Sequence, residues 1–154
     1  MTIARRLVKW THRRSAFDGE GARLAGGRWN LPGSTVVYAS GSLALAALET
    51  FVHIGRAAME LRFAAIRIVI PEDVSIEKLT IQDLPPRWRS EPPLLDTMQM
   101  GTHWAQQLRS PILRAPSVIV PQEDNLILNP SHKDFQRLTI GAPDPFTFDP
   151  RLWK

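Results

Sequence analysis

The sequence contains no cysteine, only one tyrosine and no long apolar run. Without cysteine, disulfides and thiolate metal sites are excluded, and a reducing compartment suits the chain. Nowhere do about eighteen apolar residues follow one another, as a membrane-spanning helix requires. The basic amino terminus is not followed by an apolar segment, so we expect no secretory signal. The four histidines are scattered, and we expect no bound metal. Together these absences favour a cytoplasmic protein.

The composition of the 154 residues is close to that of an average globular protein. Hydrophobic residues make up 44% and charged residues 22%, which predicts one folded domain over residues 1–154. The formal net charge is +4 and the pI is about 10.1. This favours anionic partners such as nucleotides, nucleic acid or an acidic protein. Much of the excess precedes Arg28, where it either surrounds a site or forms a solvated basic face.

The residue pattern predicts an α+β fold with a strand-rich core and two or three helices. A helix capped by Ser40 or Ser42 and ended by Gly55 has almost no polar side, so we expect it to be largely buried. A second helix is predicted between Asp96 and Leu108, despite Gly101. The prolines around Trp88 predict a surface loop. Strands are predicted at residues 5–10, 35–39, 61–70 and 74–81, with several short ones after residue 113, among them residues 135–140.

The stretch from Phe17 to His53 is the best candidate for a functional site. It begins with a glycine-rich loop, which permits close approach of the backbone to a ligand. On this loop, Arg28 is a planar donor for phosphate or carboxylate. Tyr38 ends the next predicted strand, where its phenol would face a cleft or form part of the sheet surface.

Glu49 gives the strongest physical argument for a site. Eight of its ten nearest neighbours in sequence are apolar, and an ionised carboxylate in a dry helix is costly unless it is paired or hydrogen-bonded. The carboxylate therefore either accepts hydrogen bonds from a ligand or forms an ion pair with a basic residue such as Arg28. These two interpretations are compatible.

Six segments in one order resemble the RES-domain family. They read G-E-G-A-R-L-A-G-G-R-W-N, V-V-Y-A-S, A-L-A-A-L-E-T-F-V-H, A-P-S-V-I-V-P, N-L-I-L-N-P-S-H and F-T-F-D-P-R-L. The family is named after an arginine, a glutamate and a serine, which match Arg28, Glu49 and Ser117 here. Because Ser117 precedes an apolar run, we expect its hydroxyl at the start of a strand, where it either reaches a phosphate or ribose or bonds to the backbone. The resemblance spans the chain from about Arg13 to Leu152.

This resemblance implies a bacterial toxin of a toxin-antitoxin pair, with a fold similar to that of ADP-ribosyltransferases and an activity that consumes NAD. The catalytic residues it implies are Arg28, Tyr38, Glu49 and Ser117, and the residues expected to bind NAD are Gly27, Arg28, Trp29 and Tyr38. NAD would be a substrate, with no prosthetic group. The partner would be an Xre-family antitoxin that covers the active site. Hydrolysis, phosphorolysis and ADP-ribose transfer all remain open.

Two other classes of function remain open from the residues alone. The basic pI and the five tryptophans suit a nucleic-acid-binding module or a ribonuclease toxin, since aromatic rings can stack on bases. No RNA-binding signature accompanies them. In a pure interaction subunit, by contrast, Arg28 and Glu49 would form only a structural bridge.

Overall fold

The computed structural model describes residues 1–153, and in this range three α-helices accompany one sheet. The strands are β1 (Thr2–Lys9), β2 (Val37–Ser40), β3 (Phe63–Ile70), β4 (Ile76–Lys78), β5 (Ile112–Pro116), β6 (Asp124–Leu128), β7 (Thr139–Ile140) and β8 (Asp144–Phe146). The α-helices are α1 (Glu20–Ala25), α2 (Leu43–Ile54) and α3 (Leu95–Gln106). Short 3₁₀ helices cover Trp10–Ser15, Gly55–Glu60, Ile81–Asp83, Lys133–Arg137 and Pro150–Leu152. The predicted α+β class is confirmed.

The eight strands in the described range form a mixed sheet in the order β4-β5-β6-β2-β1-β3-β7, with β8 also pairing with β3. Only β4 and β5 run parallel, and the other pairs are antiparallel. β1 pairs with β3 along its whole length, whereas its pairing with β2 is confined to Arg5 opposite Ser40. The sheet therefore opens between β1 and β2, and this gap positions the site.

Apolar side chains cover both faces of the sheet. One face carries a core that includes Ala4, Val37, Ile68, Ile112 and Leu128. On the other face, Trp29, Val36, Trp88, Trp104, Leu113 and Ile127 pack together, and α2 packs on β1 through a separate cluster around Leu7, Ala46 and Phe63. Because strand side chains alternate between faces, the core residues of β5 and β6 contribute to both layers.

The expected helix boundaries hold at α2. Ser42 caps it by accepting a hydrogen bond from the Leu45 backbone N–H, and Gly55 lies at its carboxyl end. The expectation of a largely buried helix was wrong, because Leu48 is 43% and Val52 63% exposed. Only Leu45 and Ala46 are fully buried on this helix.

Three other segments differ from the sequence prediction. The stretch predicted as an irregular glycine-rich loop contains the helix α1, whose Arg23 pairs with Glu20 one turn earlier. The proline-rich segment is a loop as predicted, but its Trp88 is buried in the core. The strand predicted at residues 135–140 is mostly a 3₁₀ helix, followed by the two residues of β7. No helix in residues 1–153 has both the length and the apolar character to cross a membrane.

A glycine in the middle of α3 lets that helix lie directly against the loop before β2. A Cβ added at Gly101 would lie 1.8 Å from the backbone oxygen of Trp29. The next residue, Thr102, accepts a hydrogen bond from the Leu31 N–H at 2.9 Å. The sequence pattern tolerated Gly101 as a helix weakness, whereas the structure gives it a packing role.

We predict that Gly101→Ala destabilises the protein by at least about 2 kcal/mol, because the new methyl group must displace a backbone carbonyl. Gly21→Ala is the matched control, since a Cβ at that helical position meets nothing within 4 Å. Denaturant unfolding of both variants measures the difference. Equal free energies of unfolding for the two variants would contradict the packing role of Gly101.

Candidate functional site

A cavity of about 920 Å³ opens where β1 and β2 separate. Its walls come from β1, from α1 and the loop that follows it, from β2 and from α2. Small-molecule sites span about 300–1,000 Å³, so the volume suits a ligand of dinucleotide size. The walls carry equal numbers of cationic and anionic side chains. The cations are Arg5, Arg6, Lys9 and Arg28, and the acids are Asp18, Glu20, Glu49 and Glu91.

The loop between α1 and β2 is fastened by one buried asparagine. Asn30 is fully buried, and its Nδ2 donates to the backbone oxygens of Ala22, Leu31 and Ser34 at 2.8–3.2 Å. Its Oδ1 accepts a hydrogen bond of 2.6 Å from the phenol of Tyr38. The side chain of Asn30 thus joins the end of α1, the loop and β2.

Tyr38 closes the back of the cavity as a neutral phenol. Its oxygen donates to Asn30 and accepts from the Trp29 N–H at 3.1 Å. Burial raises the pKa of the phenol well above its usual range, against smaller opposing effects of the Trp29 N–H and the charge of Arg28. Both hydrogen bonds of the phenol are therefore made within the protein. This corrects the expectation that a free phenol faces the ligand.

Gly27 lies against this phenol. A Cβ at Gly27 would come within 2.6 Å of the Tyr38 hydroxyl oxygen and 3.0 Å of Asn30 Oδ1. The close approach expected of the glycine loop is therefore present, and it is made to the protein's own side chains. Gly27 also lines the cavity.

Arg28 borders the cavity, and its guanidinium is held by hydrogen bonds to the proline-rich loop. Its Nη1 donates to the backbone oxygens of Trp88 and Ser90 at 2.9 and 2.8 Å, and its Nη2 donates to Glu91 at 3.2 Å. The side chain is only 14% exposed. The expected ion pair with Glu49 is absent from the described residues, because the carboxylate partner of Arg28 is Glu91. Two of its five N–H groups, on Nε and Nη2, remain for a ligand.

Glu49 is held by two hydrogen bonds to a single oxygen. Its Oε1 accepts from the hydroxyl of Ser117 and from Nδ2 of Asn125, both at 2.7 Å. Glu49 lines the cavity, and its Oε2 has no hydrogen bond within residues 1–153 and is not buried. The polar compensation expected for this carboxylate thus comes from a serine and an asparagine, and one oxygen stays available.

Ser117 lies behind Glu49, not in the cavity. It is fully buried, and its oxygen also accepts from the backbone N–H groups of Ile119 and Val120 at 3.0 and 3.1 Å. The expectation that its hydroxyl reaches a phosphate or ribose is therefore wrong for this arrangement. Trp29 likewise borders the cavity but is only 3% exposed, and its ring belongs to the core.

Arg6 is a site residue that sequence reasoning missed. From β1 it donates to the backbone oxygens of Ala16 and Tyr38, both at 2.6 Å, so its guanidinium bridges the gap where β1 and β2 part. Burial lowers its pKa to about 10, partly offset by Asp18. No carboxylate of residues 1–153 forms an ion pair with it, and it lines the cavity. A partly buried cation without a carboxylate partner favours an anionic ligand.

The tryptophans offer little surface for stacking on bases. Trp29, Trp88 and Trp104 are buried, and Trp10 lies between the guanidinium groups of Arg13 and Arg62, at 4.4 and 4.3 Å. Trp153 is packed beside Phe51. Within the described part of the chain, no group of three His, Asp or Glu side chains could hold a metal ion.

The RES domain matches residues 3–149. The chain belongs to the RES family. Toxin Res of Yersinia enterocolitica serotype O:8 is 44% identical over 148 residues, covering 96% of this chain and 97% of that protein. The Prs ADP-ribosylating toxin of a Sphingobium species is 39% identical, covering 92% and 89%. The crystal structure of the M. tuberculosis MbcT-MbcA toxin-antitoxin complex contains a chain with a TM-score of 0.70 at 21% identity, covering 98% of this chain and 86% of that one. That likeness shows a shared fold.

The residues that the family name emphasises are thus only part of the site. Asn30 and Asn125 stand within two of the sequence segments that carry the resemblance, R-W-N and N-L-I-L-N. Both are polar residues next to apolar strand or core residues in the sequence. That pattern could have marked them as buried hydrogen-bonding residues of the site. Arg6 lay in an alternating basic strand that offered no distinguishing signal.

The single tyrosine allows a direct test of the closed phenol network. We predict that native protein keeps Tyr38 neutral at pH about 10, where an ordinary phenol is half ionised, because its folded-state pKa is raised by burial. Ultraviolet difference absorbance of phenolate measures this. The denatured chain, which should titrate at the ordinary value, is the control. Native and denatured curves with the same midpoint would contradict the buried network.

Proposed function

We propose that this RES protein is the toxin of a toxin-antitoxin pair and that it cleaves the nicotinamide-ribose bond of NAD. The observation that carries the proposal is the carboxylate of Glu49, which lines the cavity, is tied down at Oε1 and has no hydrogen bond at Oε2 within residues 1–153. The relative from Sphingobium is an ADP-ribosylating toxin, which supports a substrate that contains ADP-ribose.

The chemistry requires stabilisation of a cation. When the bond between ribose C1′ and the nicotinamide nitrogen breaks, its electron pair leaves with nicotinamide, which becomes neutral, and positive charge develops on the ribose. A fixed carboxylate beside the ribose stabilises that charge more in the transition state than in bound NAD. Glu49 Oε2 would accept a hydrogen bond from a ribose hydroxyl. Water, phosphate or a protein nucleophile would then attack C1′.

The diphosphate of NAD needs cationic donors, and two arginines offer them. Arg6 retains three N–H groups after its two bonds to backbone oxygens, and Arg28 retains two. Both are held in place by the protein, so little side-chain freedom is lost when a ligand binds. The arginine that the family name emphasises would therefore share the phosphate contacts with Arg6.

The wall around Tyr38 would limit how the ligand fits. Since the phenol is committed to Asn30 and Trp29, Tyr38 would contact NAD through its ring and not through a new hydrogen bond. Gly27 packs directly against the phenol and lines the cavity, where its lack of a side chain lets this wall stay close to the ring. In this proposal Tyr38 and Gly27 determine the shape of the binding site, and Glu49 supplies its negative charge.

An antitoxin would cover the mouth of the cavity. Val52 is 63% exposed and His53 is also exposed, and both line the cavity from α2. Exposed apolar side chains at the rim of a polar cleft suit a protein partner. The MbcT-MbcA structure is a toxin-antitoxin complex, and an Xre-family antitoxin is the partner we propose here.

Glu49→Gln tests the proposed role of the carboxylate. The glutamine oxygen can accept the same bonds from Ser117 and Asn125, so the variant should fold normally, while the charge at the cavity is lost. We expect at least about a hundredfold lower release of nicotinamide from NAD. Glu60→Gln, at an exposed position outside the cavity, is the matched control. Near-normal turnover of Glu49→Gln would remove this residue from the mechanism.

Arg6→Gln tests the phosphate contact. Loss of a charge-assisted contact to the diphosphate should raise the KM for NAD at least about tenfold, with a smaller effect on kcat. Arg67→Gln on β3 is the control, because Arg67 is exposed and does not line the cavity. An equal KM in both variants would contradict the assignment.

Purified protein mixed with NAD separates this proposal from the ribonuclease alternative. Free nicotinamide with intact RNA supports the proposal, and its rate with added phosphate or candidate acceptor protein identifies the acceptor. Degraded RNA with intact NAD overturns the proposal.

A further inference from the structure

The hydrogen bonds around Glu49 reach a second strand and a residue outside the family's named set. Asn125 lies on β6 and donates from Nδ2 to Glu49 Oε1 at 2.7 Å. Its Oδ1 accepts a 2.7 Å bond from the hydroxyl of Ser40 on β2. Ser40 and Asn125 are direct partners in the β2–β6 pairing. The carboxylate on α2 is therefore tied through one amide to the centre of the sheet.

The carboxylate of Glu49 requires the donor end of the amide, because a carboxylate only accepts hydrogen bonds. The Ser40 side chain is buried, and its hydroxyl donates to the other end of the amide, at Asn125 Oδ1. Ser40 thus holds Asn125 in the orientation that Glu49 requires.

Ser117 and Asn125 together use both lone pairs of Oε1. Ser117 is held by two backbone N–H groups, whereas Asn125 is held by a side chain. The two bonds on one oxygen fix the plane of the carboxylate and leave Oε2 as the end that meets a ligand.

We propose that Asn125, oriented by Ser40, is a positioning residue that fixes the plane of the Glu49 carboxylate and turns its Oε2 toward the substrate. The role in catalysis rests on the proposed NAD cleavage, but the effect on the Glu49 carboxylate does not. A hydrogen bond to the charged form favours ionisation. Replacing the amide by a carboxylate reverses this effect without changing the size of the side chain.

Other titratable and charged groups surround the same cavity and would affect its pH dependence. From β1 these are Arg5, Arg6 and Lys9, and from α2 the group is His53. From the remaining walls they are His12, Asp18, Glu20, Arg28 and Glu91. Arg56 and Glu60 on the 3₁₀ helix after α2, and Asp124 next to Asn125, do not line the cavity. All of them are unchanged in a variant at position 125, so a difference from the parent protein reports on that position.

Asn125→Asp is the test variant. With two carboxylates in place of one, the pair should retain a shared proton near neutral pH, because like charges at this distance do not both ionise. We expect the acidic limb of the kcat profile to move up by at least about one pH unit, with activity recovering above it. Gln122→Glu, which makes the same change in net charge at an exposed neighbouring position, should leave the limb in place.

A second measurement does not depend on turnover. The Glu49 side-chain carboxyl carbon, followed by NMR through a pH titration, should titrate higher in Asn125→Asp than in the parent protein. Ser40→Ala, which leaves Asn125 in place, should move the Glu49 titration in the same direction by a smaller amount. This variant replaces Asn125→Asp as the test if Asn125→Asp does not fold.

A uniform loss of kcat at every pH, with unchanged Glu49 titration, would overturn the inference and leave Asn125 as a structural residue. If the parent protein releases no nicotinamide, the proposed function fails. The NMR comparison then still decides whether Asn125 controls the ionisation of Glu49.

Discussion

The hydrogen bond between the phenol of Tyr38 and the side chain of Asn30 is the contact on which the site depends. Through it, a loop without regular structure is fixed to the middle of the sheet. The other end of Asn30 holds the carboxyl end of α1, and Gly101 lets α3 support the same loop from outside. Arg28 and Gly27 take their positions from this attachment. A buried polar network of this kind specifies one arrangement because each unsatisfied group would be costly.

The same sheet supports both sides of the cleft. β1 and β2 part after a single pairing at Arg5 and Ser40, and the guanidinium of Arg6 bonds to the backbone that would otherwise be left unpaired. The cation of Arg6 and the carboxylate of Glu49 thus both line the cavity and form no ion pair with each other in residues 1–153. Both charges are therefore available to a ligand that carries anionic and electron-poor groups.

Much of the fold followed from local sequence signals, while the pairing of site residues did not. Ser42 and Gly55 predicted the limits of α2, and a β-branched run predicted β3, because caps and strand propensity are local properties. The partners of Glu49 lie 68 and 76 positions away in sequence, and Arg28 bonds to residues about 60 positions away. Such partners depend on the assembled sheet. The resemblance to the RES family indicated Glu49 and Ser117 but could not show that Ser117 stands behind the carboxylate.

The central place of β2 links the integrity of the site to that of the whole molecule. This strand of four residues carries Tyr38 and Ser40 and is bordered by β1 and β6. Backbone amides in such a strand exchange with solvent mainly when the entire sheet opens. Fraying of the ends or edges of the protein would therefore leave the ligand pocket assembled, and inactivation by heat should coincide with global unfolding.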